Sequence, residues 1–342
     1  MNRRRLGNTK LEVSGIGLGC QSLGGGLYYR DDREAMRVLH RAADAGINFF
    51  DTADHYSLGQ SEALIGKAFK GRRGGLILST KVGTTYSPLA TAALRARPLL
   101  RPFNRALRGL KLRLHHLRAA QRRFDFSAAY VAQAVENCLR RLRTDFIDLL
   151  MLHKPPLAVL ERGEAFAALA RLQAAGKIRY FGVSCDGVEE ALAALCVPGL
   201  SAIQVTVSLL DQSAAADVLP MAQRLNCGVI ARNPRGQGHL TSDYRDLMAE
   251  TYVQDAAESE LREQAARQFS FLASRRTLAQ AAIQFAQHFS AVSVVLPRVV
   301  NLRQLEDVLG TPGAPALTPE ELARIAAVTQ TARHLLKSHP YR

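Results

Sequence analysis

Ile178-Arg179-Tyr180-Phe181-Gly182-Val183, Ala202-Ile203-Gln204-Val205-Thr206-Val207 and Gly228-Val229-Ile230-Ala231 are three short, mostly apolar runs. Two stretches of helical pattern, Val188 to Leu195 and Ala214 to Leu225, separate them. A brief apolar run fits a strand covered on both faces, and such strands joined by helices pair in parallel.

The same rhythm extends in both directions. Ser14 to Gly19, Ile47 to Asp51, Leu76 to Lys81 and Phe146 to Met151 read as strands upstream, and Val292 to Leu296 downstream. Helical patterns fill the spaces. One starts at Asp31 or Asp32 and places Ala35, Val38, Leu39 and Ala42 on one face; another covers Ser61 to Phe69. Ser127 caps a third, with Val131, Val135, Leu139 and Leu142 in register. Glu161 to Ala174 is read as one helix stopped by Gly176, followed later by Thr277 to His288 and Leu302 to Val308. A polar helical patch is expected over Gln254 to Gln268. Thr318-Pro319-Glu320-Glu321 opens the last helix with a cap, a first-turn proline and a Glu three residues on.

Eight strands with helices between them predict an α/β protein, a closed (β/α)8 TIM barrel. The chain is read as a single domain over 1–342, with a basic insertion over 84–126 after the third strand. An open doubly wound sheet is disfavoured, because no GxGxxG follows the first strand and Gly24-Gly25-Gly26 lacks that spacing.

The chain has 342 residues, 47% hydrophobic and 22% charged, which excludes a disordered protein and allows one large core. Lys and Arg number 45 against 30 for Asp and Glu, a net charge of +15 that invites a nucleic-acid reading. From Thr84 to Phe124, however, there is no acidic residue. That stretch holds Arg95, Arg97, Arg101, Arg105, Arg108, Lys111, Arg113, Arg118, Arg122 and Arg123, two thirds of the net charge. Leu94, Leu99, Leu100, Phe103, Leu107, Leu110, Leu114 and Leu117 recur among them at intervals near three and four. The pattern is that of an amphipathic basic helix or helix pair, interrupted by Pro98, Pro102 and Gly109. A solvated lid packed on the barrel is the favoured reading, ahead of a lid that attracts acidic substrates. Peripheral membrane contact through 94–123 is not favoured, and nucleic acid is not expected, because aromatic residues are nearly absent there.

No run of apolar residues reaches the length of a membrane span. Met1-Asn2-Arg3-Arg4-Arg5 begins as a secretion signal does, but Glu12, Ser14 and several glycines break the apolar segment that should follow. The five cysteines are odd in number, widely spaced and without a CxxC pair, which fits reduced thiols in a cytoplasmic protein.

In a barrel of this kind, reactive groups sit at the carboxyl ends of strands. Those ends carry Asp51, Lys81, His153, Ser184, Gln204, Arg232 and Arg298. Unpaired charges converging on one opening are costly unless used or mutually paired. Lys81 is able to pair with Asp51 and stay charged. A phenol beside that ammonium, Tyr56, gives up its proton more readily and becomes a proton donor usable near neutral pH. His153 is placed to hold a carbonyl oxygen between its ring and the Tyr56 hydroxyl. This set suits carbonyl reduction, in which an acid protonates oxygen while hydride arrives at carbon, and the chemistry needs no metal. Each residue also has a plainer role: a structural ion pair for Asp51 and Lys81, a packed core histidine for His153, a helix cap for Ser184.

Gly46-Ile47-Asn48-Phe49-Phe50-Asp51-Thr52-Ala53-Asp54-His55-Tyr56, with Gly59, Ser61 and Glu62 after it, resembles the aldo-keto reductase signature. Ser79-Thr80-Lys81-Val82-Gly83 is similar to that family's lysine strand. Leu139 to Leu142, Thr144 to Leu149 and Leu152-His153 are similar to its histidine segment, and Gly182-Val183-Ser184 and Ile203-Gln204 to later cofactor segments. The resemblance covers roughly Arg5 to Gly310, apart from the insertion. It implies a (β/α)8 barrel that interconverts aldehydes or ketones and alcohols with NADP(H), acting on a small-molecule carbonyl or alcohol substrate.

By the same resemblance, Tyr56 is the general acid/base, Lys81 and Asp51 tune it, and His153 positions the substrate oxygen. Ser184 and Gln204 hold the nicotinamide carboxamide, and Gly19, Cys20 and Gln21 approach the nicotinamide ribose. Pro234 and Gly236 belong to the cofactor loop after the seventh strand. Arg298 and Arg303 meet the adenosine phosphate, which favours NADP(H) over NAD(H).

Two positions depart from the family pattern. Cys185 stands where Asn is common, and Arg232 where an aromatic ring often stacks on the nicotinamide. A guanidinium there disfavours the oxidised, cationic ring, or meets an acidic substrate. Cys20 and Cys185 are read as small apolar residues, not nucleophiles. A nucleotide-sensing regulatory protein on the same barrel, like potassium-channel β subunits, is the alternative function. A Schiff-base aldolase using Lys81 comes third.

Overall fold

The computed structural model describes residues 1–23, 32–87, 91–92, 122–241, 260, 263–264 and 266–331. Nearly all of the expected basic amphipathic segment over 94–123 and most of the polar patch over 254–268 lie outside the described residues.

Eight strands form one all-parallel sheet: β3 (Leu18–Gly19), β4 (Phe49–Asp51), β5 (Ile77–Val82), β8 (Ile147–His153), β9 (Ile178–Ser184), β10 (Ala202–Thr206), β11 (Gly228–Arg232) and β12 (Val292–Leu296). The first and last of these close on each other. Ile16 and Gly19 bridge in parallel to Val295 and Arg298, and Gly17 N–H donates to the Val295 carbonyl at 2.9 Å. The fold is the (β/α)8 barrel expected from the apolar runs.

The inside of the barrel is filled by Phe49, Ile77, Leu149, Met151, Ala202, Ile230, Val294 and Leu296. Its amino end is plugged by an element absent from the sequence reading, an antiparallel hairpin of β1 (Arg3–Arg5) and β2 (Glu12–Ser14). Leu6, Leu11 and Val13 of this hairpin join the interior cluster. Outside, the larger apolar layer lies between strands and helices, which is why these strands are apolar on both faces.

The helices are α1 (Asp32–Asp44), α2 (Gln60–Ala68), α3 (Ala128–Leu142), α4 (Leu157–Arg162), α5 (Glu164–Ala174), α6 (Val188–Leu195), α7 (Val218–Arg224), α8 (Leu278–His288), α9 (Leu302–Leu309) and α10 (Pro319–Thr331). Ser127 Oγ accepts from the Tyr130 N–H at the start of α3, and Thr318 and Glu321 exchange a reciprocal cap at α10, as their spacing implied. The expected helix over 161–174 is two helices. Gly163 takes φ +72°, a left-handed conformation that ends α4 and lets α5 start in a new direction. The helix expected from Ala214 starts at Val218, after a short 3-10 turn over Ser213–Ala215.

After β5 the chain leaves through β6 (Thr84–Tyr86) and returns through β7 (Arg122–Phe124), an antiparallel pair in which Thr84 faces Phe124. The base of the insertion is therefore fixed at the carboxyl end of the barrel.

Candidate active site

Strand register gathers the predicted residues on one rim. Gly19 lies opposite Asp51, Asp51 opposite Ser79, His153 opposite Ser184, and Ser184 opposite Gln204. Each occupies the end of a strand or a position near it, so the side chains ring one opening.

At the centre, Lys81 Nζ donates to Asp51 Oδ2 at 2.5 Å and to the Thr52 carbonyl at 2.9 Å. Ser79 Oγ donates to the other Asp51 oxygen at 3.0 Å. Lys81 is fully buried, and burial alone would push its ammonium down. The Asp51 carboxylate, Tyr56 and the Asp51 hydrogen bond outweigh that, so the ammonium is held above its ordinary range and stays charged. Its nitrogen lies 5.4 Å from the Tyr56 ring centroid. The Tyr56 ring stands edge-to-face with His153 at 5.9 Å. Burial, followed by the charges of His55, Lys81, Lys154 and Arg232, pulls the His153 imidazole well below its ordinary range. His153 is therefore neutral at neutral pH, and its Nδ1 is buried without a hydrogen-bond partner among the described residues.

Backbone strain clusters here. Among the described residues, six non-glycine residues take positive φ; Ser57 and Leu58 follow Tyr56, Lys154 follows His153, and Asn233 follows Arg232. Left-handed backbone costs such residues about 1–2 kcal/mol each, and such strain concentrates at functional sites. Nothing in the amino-acid pattern announces it.

The other half of the rim is polar but incomplete on its own. Ser184 Oγ donates to Gln204 Oε1 at 2.9 Å, while the Gln204 Nε2 amide is buried with no partner among the described residues. An orphaned buried donor is expensive, and it fits a carboxamide oxygen arriving from outside. Cys20 lines the same wall. Ser61 Oγ donates to its carbonyl at 2.8 Å, and burial, then Asp51, keeps its thiol far from ionising. Burial likewise raises the Cys185 thiol, so neither cysteine is a nucleophile. Gln21 is exposed at the rim. Pro234 is buried, and Gly236, with φ +52°, begins a short 3-10 turn over Gly236–Gly238. Arg298 and Arg303 bracket the start of α9, where Asn301 Oδ1 caps Gln304 N–H at 2.8 Å.

Arg232 is not a bare cation. It donates to the Cys185 carbonyl at 2.9 Å and to Asp186 at 3.3 Å, and Lys154 reaches the same Asp186 oxygen at 2.6 Å. Asp186 and Lys154 escaped the sequence reading, as did Asp54, His55 and Tyr130. The His55 ring lies 4.8 Å from Tyr56 and 4.7 Å from His153, and Tyr86 of β6 approaches it at 6.1 Å. The only available signal for Asp54 and His55 was their place between Asp51 and Tyr56.

The model of the Aldo/keto reductase family matches residues 15–330. The chain belongs to the aldo/keto reductase family. Members of this family are oxidoreductases of carbonyls and alcohols, generally with NAD(P)H. This aldo/keto reductase is 28% identical to the uncharacterized oxidoreductase YqkF of Bacillus subtilis, over 99% of each chain. It is 31% identical to a pyridoxal 4-dehydrogenase of Microbacterium luteolum, covering 89% of this chain and 90% of that one. The holo form of aldo-keto reductase AKR11C1 from Bacillus halodurans superposes with a TM-score of 0.75 at 28% identity, over 96% of both chains.

Proposed function

We propose that this aldo/keto reductase interconverts an aldehyde or ketone and an alcohol with NADP(H), with Tyr56 as general acid and base. The observation that carries this is the buried Lys81–Asp51 pair beneath the Tyr56 ring, with neutral His153 across the opening. NADP(H), when bound, would supply or accept the hydride. In reduction, the protein protonates the carbonyl oxygen from Tyr56, and the Lys81 charge stabilises the negative charge left on the phenolic oxygen. Neutral His153 holds the substrate oxygen without competing to protonate it. Asp51 keeps Lys81 charged and in place.

Ser184 and Gln204 would hold the carboxamide, with the Gln204 Nε2 donor supplying the hydrogen bond that Cys185 cannot. Gly19, Cys20, Gln21, Pro234 and Gly236 complete the cradle. Arg298 and Arg303 favour the 2′-phosphate of NADP(H). The charges of Lys154 and Arg232 both bear on His153, which supports a substrate with acidic character. The insertion over 84–126, anchored at the mouth by β6 and β7, is read as a lid of the same single domain.

The test is turnover. Carbonyl compounds and alcohols, with pyridoxal among the first because one relative is named for it, are screened while reduced nicotinamide is followed by absorbance. Oxidation of NADPH in preference to NADH by wild type, lost in Y56F, supports the proposal. A chain that binds NADPH but turns over no carbonyl favours the regulatory reading instead.

A further inference from the structure

Reduction of a carbonyl takes one proton from Tyr56 in every cycle, and the phenolate must recover it before the next. Tyr56 is half-exposed, and a substrate and cofactor in the opening would shield it from bulk water, which gives a route through the protein a use. Three titratable residues outside the four-residue centre form a chain toward it. Tyr130, half-buried on the first turn of α3, donates its hydroxyl to Asp54 Oδ2 at 3.0 Å. The other oxygen, Asp54 Oδ1, faces His55 Nδ1 at 3.5 Å. The Asp54 and His55 side chains keep only 9% and 10% of their surface open. The two facing atoms, Asp54 Oδ1 and His55 Nδ1, are themselves closed to solvent. Asp54 N–H also donates to the Lys81 carbonyl at 2.9 Å, which ties this loop to the lysine strand.

We propose that Asp54 and His55 are a proton-holding pair that refills Tyr56, His55 relaying the proton and Asp54, fixed by Tyr130, positioning and charging it. This rests on the reductase reading above. In the step, an imidazolium N–H bond of His55 breaks and the Tyr56 O–H bond forms, directly or through one water. The neutral imidazole then regains a proton from Asp54 or solvent. One proton enters and one leaves with the alcohol, and no oxidant or reductant beyond the nicotinamide is needed.

The electrostatics agree with the geometry. Burial raises Asp54 from an ordinary value of 3.8 to about 7, against the Tyr130 hydrogen bond and the Arg141 and Lys81 charges. Among the described residues, the titratable groups facing Asp54 are Tyr130, Cys138 and Arg141 of α3, Lys81 of β5 and its neighbour His55. A carboxyl that titrates near neutrality gives and takes a proton under the conditions of turnover, which an ordinary surface Asp does not. The competent form for reduction is the protonated pair, so kcat for reduction falls as pH rises through about 7.

Two measurements test the pair on the full chain. The first is NMR titration of the histidine rings without cofactor, in wild type, D54N and Y130F. Removing the carboxylate charge is expected to lower the His55 midpoint by about 1–3 pH units in D54N. Y130F, which keeps the carboxyl and loses one hydrogen bond to its charged form, is expected to raise the Asp54 midpoint. An unchanged His55 midpoint in D54N overturns the pairing. The second is the pH profile of kcat for carbonyl reduction. D54N is expected to lower kcat on the order of 10-fold or more, flatten the limb near neutrality and recover rate in imidazole buffer, with KM little changed. Wild-type kcat at every pH in D54N overturns the relay. Should D54N fail to fold, the Y130F limb, displaced to higher pH or not, decides. If wild type reduces no carbonyl, the reductase reading falls while the titration still judges the pair.

Discussion

Tyr56 illustrates how one residue depends on its neighbours. A lone phenol in a barrel mouth is a packing residue. Above a charged, buried ammonium and across from a neutral imidazole, it is proposed to act as proton donor and acceptor. Y56F is expected to cut reduction by about 10²- to 10⁴-fold. Cofactor affinity, measured by fluorescence titration, should stay within a few-fold of wild type, because the ring stays and only the oxygen leaves. Lys81 carries a double burden. K81M leaves Asp51, itself buried, without its counter-charge, and such losses cost about 3–5 kcal/mol. We expect K81M to lower both kcat and the denaturation midpoint. The double variant K81M/D51N, which removes the stranded charge, should recover stability without activity. Equal stability of K81M and wild type would deny that the pair is buried and coupled.

At the scale of elements, apolar runs and helical spacing made all eight strands and most helices legible, because strands covered on both faces leave no ambiguity of face. Asp51, Lys81, His153, Ser184 and Gln204 were legible for the same reason: a polar residue closing an apolar strand stands out. What escaped was long-range or conformational. The β1–β2 hairpin closes the barrel through Leu6 and Val13, whose role depends on contacts far away in sequence. The break at Gly163 depends on a left-handed backbone that a helical spacing rule ignores. Asp54, His55 and Tyr130 meet across 76 residues, from a loop and a helix that the pattern treats separately.

Gly66 shows how tightly those elements are set. It lies on α2 where that helix meets the end of α3, and a Cβ there would run into the Arg141 carbonyl oxygen and come within 2.6 Å of the Leu142 backbone. The obstacles are backbone, so they cannot rotate away. G66A gains helix propensity yet must push α2 from α3, and overpacking of this kind costs about 1–3 kcal/mol. The shift would also strain the buried contact of Arg141 with Glu62, which holds Thr80 beside Lys81. A lower thermal midpoint in G66A, with reduced kcat, is the expected outcome; a midpoint at or above wild type would show that the helices separate freely.

At the scale of the molecule, the proposed proton store has a thermodynamic signature. Asp54 is raised from 3.8 to about 7 in the folded protein, mainly by burial. The folded state therefore holds this proton more tightly than the unfolded chain does. Folding is least burdened below pH 4, loses stability as pH rises from about 4 to about 7, and is unchanged by this group above that. Three pH units correspond to about 4 kcal/mol. The neutral amide that D54N introduces carries none of this burden while still accepting a hydrogen bond from Tyr130. The stability of D54N relative to wild type, from urea unfolding at a series of pH values, should therefore climb between about pH 4 and 7 and then level off, with D54N the more stable at about pH 8. Comparing the two chains at each pH cancels the contributions of groups not coupled to Asp54, including the ten charges of the insertion. A flat difference across that window would mean that Asp54 titrates as an ordinary carboxylate and that no proton is stored beside Tyr56. A rising difference would mean that the barrel gives up stability at neutral pH to keep one proton at the edge of its active site.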